Sequence, residues 1–226
     1  MIADILSSKV KEVDICRLLV YNKIYNTNEW KFFMKLYHGT ISLGAESIIK
    51  NGINLSKGKP KVDFGQGFYT TPSFNFAKNT AINKARKTNS YNNIYVEPYV
   101  LTYEFDYAKA KMNCNILSFI DTDDKWAQFI INNRNGFEYM NVVGSYFHNI
   151  KHKYDIVQGS IADNEIVLLA KALKQLKKKV KPEDIDNILY DYFTKQLSFH
   201  TYESLSYIRL TDCDIIKEKK GDVINE

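Results

Sequence analysis

The sequence has few cysteines, and none is placed to form a metal site or a redox pair. Its 226 residues include three cysteines, Cys16, Cys114 and Cys213, which are far apart and form no Cys-x-x-Cys pair. This spacing argues against a zinc ribbon and against a dithiol redox motif. A sparse, odd number of cysteines is typical of proteins that stay in a reducing compartment.

The sequence also lacks a membrane span and a strong charge of either sign. No stretch approaches the roughly 18 consecutive apolar residues that a spanning helix needs. The N-terminus has no basic segment followed by an apolar core, so no signal peptide is predicted. The net charge of +5 permits an anionic ligand or nucleic acid but requires neither. We therefore expect a cytoplasmic protein with no membrane partner.

What is present is the composition of a globular domain. Hydrophobic residues make up 45% of the chain and charged residues 25%. Short strands and helices alternate without a regular βαβ order, which predicts the α+β class. Apolar residues at helical spacing predict an N-terminal helical extension over 1–34. A main domain over 35–212 and a charged C-terminal tail over 213–226 complete the predicted organisation.

Periodicity and turn residues predict the individual elements. Strands are expected at 31–40, 98–107, 116–120, 154–162 and 196–201, and helices at 41–51, 76–87, 123–134 and 163–181. Gly52 is a predicted helix C-cap, and Pro182 is expected to stop the helix before it and to open the next. Residues 201–210 are predicted to close the domain as a helix or a strand.

Two segments carry unusual local chemistry. The first is LYHGT, Leu36 to Thr40, at the end of a predicted strand. The second is DFGQGFYTTPSFNFAKNTA, Asp63 to Ala81, in which two glycines are followed directly by the aromatic pair Phe68 and Tyr69 and then by two threonines. Glycine lets a ligand approach the backbone closely, and an aromatic ring can stack on a cationic one. Alone, the second segment is an ordinary glycine turn into a strand; the pairing with the first favours a binding site.

Together these segments resemble the first two signature segments of ADP-ribosyltransferases of the diphtheria-toxin and poly-ADP-ribose-polymerase type. The whole chain resembles a bacterial branch of that superfamily, catalogued as domain of unknown function 3990. Three further segments carry the resemblance, which runs from about Leu36 to about Leu210: Trp126 to Arg134, Tyr154 to Asp163 and Gln196 to Thr201.

The resemblance implies an ADP-ribosyltransferase-like split β-sandwich with peripheral helices, and a mono-ADP-ribosyltransferase that uses NAD as substrate without a metal. It implies a bacterial or phage toxin or effector, a macromolecular acceptor and a small antitoxin partner. The implied catalytic residues are His38, Tyr69 and Gln196. The implied NAD-binding residues are Tyr37, His38, Gly39, Thr40, Phe64, Gly65, Gly67, Phe68, Tyr69 and Thr70.

The chemistry of the reaction assigns roles to these residues. Cleavage of the nicotinamide–ribose bond leaves an oxocarbenium cation, so the site must hold nicotinamide and tolerate positive charge. The backbone of Gly39 is a candidate to bind the carboxamide, the Tyr69 ring to stack on nicotinamide, and His38 to bond a ribose hydroxyl. Thr70 or Thr71 supplies a hydroxyl or caps the helix that begins near Pro72.

Gln196 departs from the superfamily, in which many members have glutamate in the third motif. An amide can orient the ribose but cannot act as a general base. This favours single transfer over chain elongation and leaves open a base supplied by Asp163 or Glu165. Gln196 as a plain polar residue at a strand end stays open as well.

Other residues are weaker candidates. Asn133, Arg134 and Asp163 are candidates for contact with an acceptor or phosphate. His148 and His152 have a zinc-compatible spacing but no third ligand, so we expect surface residues. Two alternative functions remain: a catalytically inactive module that binds NAD or ADP-ribose, and a nucleic-acid-binding protein that uses the lysine run at 171–181.

Overall fold

The computed structural model describes residues 33–91, 94–162, 164–181 and 195–217, with only the backbone of Glu165. The predicted N-terminal helix, the helix opened by Pro182 and most of the C-terminal tail lie outside these residues. Seven strands and six α-helices are described: β1 Met34–Ile41, α1 Ser42–Asn51, β2 Phe68–Thr70, α2 Phe74–Tyr91, β3 Pro98–Phe105, α3 Tyr107–Asn113, β4 Ile116–Ser118, α4 Asp124–Val143, β5 Ile156–Ser160, α5 Asn164–Leu176, β6 Lys195–Phe199, α6 Tyr202–Leu205 and β7 Ile208–Ile215.

The strands form two sheets. One has three strands in the order β1-β3-β7, and the other has four in the order β2-β6-β5-β4. All pairs are antiparallel except β4 and β5, which are parallel. The prediction of an α+β fold is confirmed, because the strands do not follow a repeated βαβ path.

A hydrophobic core lies between the two sheets. Apolar residues of β1 and β3, such as Leu36 and Phe105, are in one cluster with Phe68, Leu197 and Phe199 of the other sheet. The rings of Phe105 and Phe199 meet edge to face with centroids 5.3 Å apart. Burial of these large side chains is the main force that holds the two sheets together.

The second face of the four-stranded sheet is covered by α4. Trp126, Phe129 and Ile130 are buried there with Phe64 and Val157. The helix begins as its sequence predicts, because the carboxylate of Asp123 accepts a hydrogen bond from the amide of Trp126 at 2.9 Å. It extends well beyond the predicted end at 134, with a break at Gly136, where φ is +79°.

Several element boundaries differ from the predictions. Gly52 caps α1 as predicted, and 201–210 contains both the α6 helix and the start of β7. The α5 helix ends at Leu176 and not at Pro182, because Lys177 adopts a positive φ of 53° that breaks the helix earlier. The α3 helix was not predicted. The described strands run from Met34 at the start of β1 to Ile215 at the end of β7.

An isolated bridge connects the two sheets. The amide of Tyr37 in β1 donates to the carbonyl of Thr71 at 2.8 Å, and the amide of Thr71 donates back to Tyr37 at 2.9 Å. This bridge brings the LYHGT segment beside the second glycine-rich segment. Each segment therefore contributes to a single region of the molecule.

Candidate functional site

His38 is bound to the second motif through the backbone of Tyr69. Its Nδ1 lies 2.7 Å from the carbonyl oxygen of Tyr69. A carbonyl oxygen only accepts, so Nδ1 must carry the proton and Nε2 is the nitrogen that can accept from a ligand. Desolvation first, and the nearby charge of Lys84 second, lower the pKa of His38 to about 3. The ring, which also packs on Phe68 with centroids 4.5 Å apart, is therefore neutral at physiological pH.

Gly39 lies at an edge of β1 where its backbone groups point away from β3. Tyr37 uses its backbone groups on that side to pair with Thr71, and strand alternation gives Gly39 the same direction. The carbonyl of Gly39 accepts a hydrogen bond of 2.7 Å from the ammonium of Lys84 on α2. A β-carbon at Gly39 would lie 2.0 Å from the carbonyl oxygen of Ala77, so α2 packs directly on this glycine.

Lys84 was not predicted as a site residue. Much of its side chain is exposed, while its ammonium turns inward to the Gly39 carbonyl. Desolvation first, and the charge of Lys59 second, lower the pKa of Lys84 to about 8. The lysine thus places a positive charge beside His38 and Gly39.

Tyr69 is held by hydrogen bonds at its hydroxyl. The hydroxyl donates to the carbonyl of Gly65 at 2.7 Å and accepts from the amide of Phe64 at 3.0 Å. Burial first, and the negative charge of Asp63 second, raise the pKa of Tyr69. Its ring is partly exposed, and the Phe64 ring lies nearly parallel to it at 6.4 Å. The orientation of Tyr69 is therefore fixed without any ligand.

Tyr69 and Gln196 share one face of the four-stranded sheet. Tyr69 in β2 is opposite Ser198 in β6, and Gln196 is two residues from Ser198 along the same strand. Such diagonal neighbours lie about 7–8 Å apart. All three predicted catalytic residues are therefore neighbours, with His38 joined to Tyr69 from the adjoining strand.

A buried carboxylate, Asp63, holds Gln196 in place. The Nε2 of Gln196 donates to Oδ2 of Asp63 at 2.9 Å, and the amide of Ala162 donates to the same oxygen at 3.2 Å. The Nε of Arg134 donates to Oδ1 at 2.8 Å, and the Arg134 guanidinium also forms an ion pair with this oxygen. The carboxylate therefore accepts from three residues, which come from α4, β6 and the segment after β5.

Sequence reasoning missed Asp63, although it begins the second motif. The signal was available in principle, because a buried amide and a guanidinium each require an acceptor. Arg134 was predicted to meet an acceptor or phosphate, but its partner in this structure is Asp63. Asp163 and the Glu165 side chain lie outside the described residues.

Other predicted site residues have structural roles. The rings of Phe64 and Phe68 are buried in the two core clusters. The side-chain nitrogen of Asn133 donates to the carbonyls of Asp63 and Phe129, and its side-chain oxygen accepts from the amide of Asn149. The contacts of these residues with NAD or a phosphate stay predictions.

The threonines and glycines of the second motif also serve the fold. The hydroxyls of Thr70 and Thr71 donate to carbonyls of β6, at 3.2 Å and 2.8 Å. Gly65 has a φ of +87°, which favours glycine, and a β-carbon at Gly67 would lie 2.6 Å from the carbonyl of Phe199. Ser73, and not a threonine, caps α2 by accepting from the amide of Phe76. Tyr37 is partly buried, and Thr40 is buried at the end of β1.

Comparison with known protein families finds a match over most of the chain. A family model described as protein of unknown function DUF3990 matches residues 34–210. The chain belongs to this family. The matched range includes His38, Asp63, Tyr69, Arg134 and Gln196. Neither a curated protein nor a solved structure matches the chain.

Two absences apply to the described residues alone. Within 33–91, 94–162, 164–181 and 195–217, no helix combines the length and apolar character needed to cross a bilayer. In that same part of the chain, no group of three or more His, Cys, Asp or Glu residues is arranged to hold a metal ion.

Proposed function

We propose that this protein is an NAD-dependent mono-ADP-ribosyltransferase with an ADP-ribosyltransferase-like split β-sandwich fold. The observation that carries the proposal is the convergence of three separate segments: the His38 ring is bonded to the Tyr69 backbone at 2.7 Å, and Tyr69 shares a sheet face with Gln196. These are the residues that the resemblance implies, and they come from β1, β2 and β6. The two facing sheets and their bridge support the same fold.

The proposed reaction breaks the bond between nicotinamide nitrogen and the C1′ carbon of ribose. The bonding electrons leave with nicotinamide, which departs neutral, and C1′ becomes cationic. A nucleophilic oxygen or nitrogen of a macromolecular acceptor forms the new bond to C1′ and loses its proton to solvent or to a base. NAD and the acceptor are thus converted to ADP-ribosylated acceptor, nicotinamide and a proton.

The residues of this chain have the following roles in that reaction. The backbone amide of Gly39 donates to the carboxamide, since the Gly39 carbonyl already accepts from Lys84, and the Tyr69 ring stacks on the nicotinamide. Neutral His38 accepts a hydrogen bond from a ribose hydroxyl through Nε2, since Nδ1 donates to Tyr69. Gln196 orients the ribose through its amide oxygen, since its nitrogen donates to Asp63. The toxin role and the antitoxin partner rest on the resemblance alone.

The test is NAD binding and nicotinamide release by the full chain. We expect saturable NAD binding by calorimetry, release of nicotinamide, and transfer of label from NAD to one fraction of a bacterial lysate. Absence of NAD binding by the folded protein contradicts the proposal. Binding without any release over long incubation supports instead an inactive NAD- or ADP-ribose-binding module. Salt-sensitive binding of RNA or DNA that NAD does not affect supports the nucleic-acid alternative.

A further inference from the structure

Asp63 and Gln196 form a buried pair in which Asp63 carries the charge. Asp63 is 6% exposed and Gln196 8% exposed, and their side chains meet at 2.9 Å. Because a carboxylate only accepts, the nitrogen of the Gln196 amide must face Asp63. The amide oxygen of Gln196 is then directed away from the carboxylate.

The surroundings of Asp63 make this orientation stable. Arg134 occupies Oδ1, and the amide of Ala162 shares Oδ2 with Gln196, so the carboxylate cannot rotate without losing donors. Hydrogen bonds to charged groups are stronger than neutral ones, and they polarise the groups that they join. The amide oxygen of Gln196 therefore becomes a better acceptor than that of an isolated glutamine.

We propose that Asp63 is the positioning residue of the site: it fixes the Gln196 amide so that its oxygen faces the ribose, and it supplies the negative charge that glutamine lacks. This inference rests on the proposed function. It explains how glutamine can occupy a position that faces developing positive charge. It also assigns the Asp63 carboxylate to orientation and not to proton abstraction, because donors already occupy both of its oxygens.

The pair has consequences that a purely structural carboxylate does not have. In Asp63→Asn, the oxygen of the introduced amide stays with Arg134 and its nitrogen faces Gln196, so the glutamine amide must flip and present a donor to the ribose. In Gln196→Glu, two carboxylates meet and cannot both ionise without cost. A protonated carboxyl group at position 196 can donate to Asp63 and still present an oxygen. This variant is therefore active at low pH and loses activity as the pH rises through the apparent pKa of the pair.

The combination of the two changes is the decisive variant. In Asp63→Asn with Gln196→Glu, the amide nitrogen introduced at position 63 donates to the carboxylate introduced at position 196, and an oxygen again faces the ribose. The amide of Ala162 loses its acceptor in this variant, so recovery is partial. We expect each single variant to lower kcat for nicotinamide release at least about tenfold at pH 8, a loss of roughly 1.4 kcal/mol, with NAD affinity nearly unchanged. The double variant should be faster than either.

The measurements are kcat and KM for nicotinamide release from pH 5 to 9, NAD affinity by calorimetry, and near-ultraviolet circular dichroism to verify folding. Additive losses in a folded double variant, or a flat pH profile for Gln196→Glu, overturn the proposal. A readout independent of turnover is the NMR signal of the Gln196 side-chain amide. It should be protected from exchange in the wild type and shift in Asp63→Asn, whether or not NAD is bound.

The outcomes separate the two proposals. If the amide signal behaves as expected but the protein neither binds nor cleaves NAD, the pairing stands and the transferase proposal fails. If NAD is cleaved but the Gln196 amide is unprotected and insensitive to Asp63→Asn, the positioning role of Asp63 is wrong while the proposed function remains.

Discussion

The two sides of the candidate site are built in different ways. On the three-stranded sheet, the site consists of backbone groups at the edge of β1, and a glycine allows α2 to pack against that edge. On the four-stranded sheet, the site consists of side chains, Gln196, Asp63 and Arg134, which hold one another by hydrogen bonds. Backbone geometry tolerates changes in side chains, whereas a buried polar cluster depends on every member. The two sides should therefore fail differently when mutated.

The largest effect is expected from Asp63→Ala on the side-chain side. This change leaves the guanidinium of Arg134 and the amides of Gln196 and Ala162 without their acceptor. Removing one partner of a buried ion pair costs about 3–5 kcal/mol, and we expect about 3 because the Arg134 side chain is 22% exposed. The free energy of unfolding in urea measures this loss.

A matched control for Asp63→Ala is Glu104→Ala, which removes the partner of Arg209. The Arg209 side chain is 73% exposed, so this change should cost less than about 1 kcal/mol. If both variants lose the same free energy of unfolding, the buried Asp63 cluster stabilises the fold no more than an exposed ion pair does.

The next effect is expected from Gly39→Ala on the backbone side. The new methyl group would lie 2.0 Å from the Ala77 carbonyl, so α2 must move away from β1. Overpacking of this kind costs about 1–3 kcal/mol. Gly159→Ala is the comparison, because its β-carbon would meet the side chain of Phe119 at 3.1 Å and not a backbone atom. The melting temperature of Gly39→Ala should be lower than that of Gly159→Ala. The reverse order would contradict the close packing of α2 on Gly39.

Tyr69→Ala and Gln196→Ala should separate binding from turnover. Loss of the Tyr69 ring removes the proposed stacking face and should weaken NAD binding by about 1–2 kcal/mol. Loss of Gln196 removes the proposed contact with the ribose, which should strengthen in the transition state, so we expect turnover to fall at least about tenfold while affinity stays nearly intact. Calorimetry and nicotinamide release measure the two quantities. If Gln196→Ala leaves turnover unchanged while Asp163→Ala or Glu165→Ala abolishes it, the role of Gln196 is wrong.

The smallest effect is expected on NAD affinity in Lys84→Met, which removes the ammonium beside Gly39 but leaves the β1 backbone unchanged. The Lys84 ammonium donates to the Gly39 carbonyl, where its charge would repel the cationic nicotinamide ring of the proposed substrate. The pKa of Lys84 is about 8, so the charge is fully present below that pH and is lost as the pH rises through it. Wild-type affinity for NAD should rise a few-fold between pH 7 and 9, and Lys84→Met should bind more tightly at pH 7. If NAD affinity still depends on pH in Lys84→Met, the titrating group is not Lys84.

The sequence predicts the local motifs of the candidate site but not the contacts that join its distant segments. The glycine and aromatic motifs are local, so His38, Gly39 and Tyr69 could be recognised within short segments. The partnership of Asp63, Arg134 and Gln196 joins residues separated by 71 and 133 positions. No local pattern encodes such a contact, because it exists only after β6 and α4 pack against the loop before β2.

The same reasoning explains the errors in the fold. Helix ends marked by a cap, Gly52 at the end of α1 and Asp123 at the start of α4, were predicted to within one residue. The early end of α5 at Leu176 was missed, because Lys177 is an ordinary helix former by propensity. Just after this end, the amide of Lys178 donates to the carbonyl of Leu173, and the carbonyl of Lys178 accepts from the hydroxyl of Tyr139 on α4. Tertiary contacts therefore decide where that helix ends.

The bridge between Tyr37 and Thr71 gives the molecule a built-in reporter of separation between its two sheets. Its two amide hydrogens, bonded at 2.8 Å and 2.9 Å, exchange with solvent when β1 moves away from the segment after β2. Amides bonded within the β1–β3 ladder stay protected during that movement, because their hydrogen bonds do not cross between the sheets. A molecule that inserts between the motifs without disturbing the bridge should slow exchange at these two positions. Deuterium uptake at Tyr37 and Thr71 would thus measure directly how often β1 separates from the segment after β2.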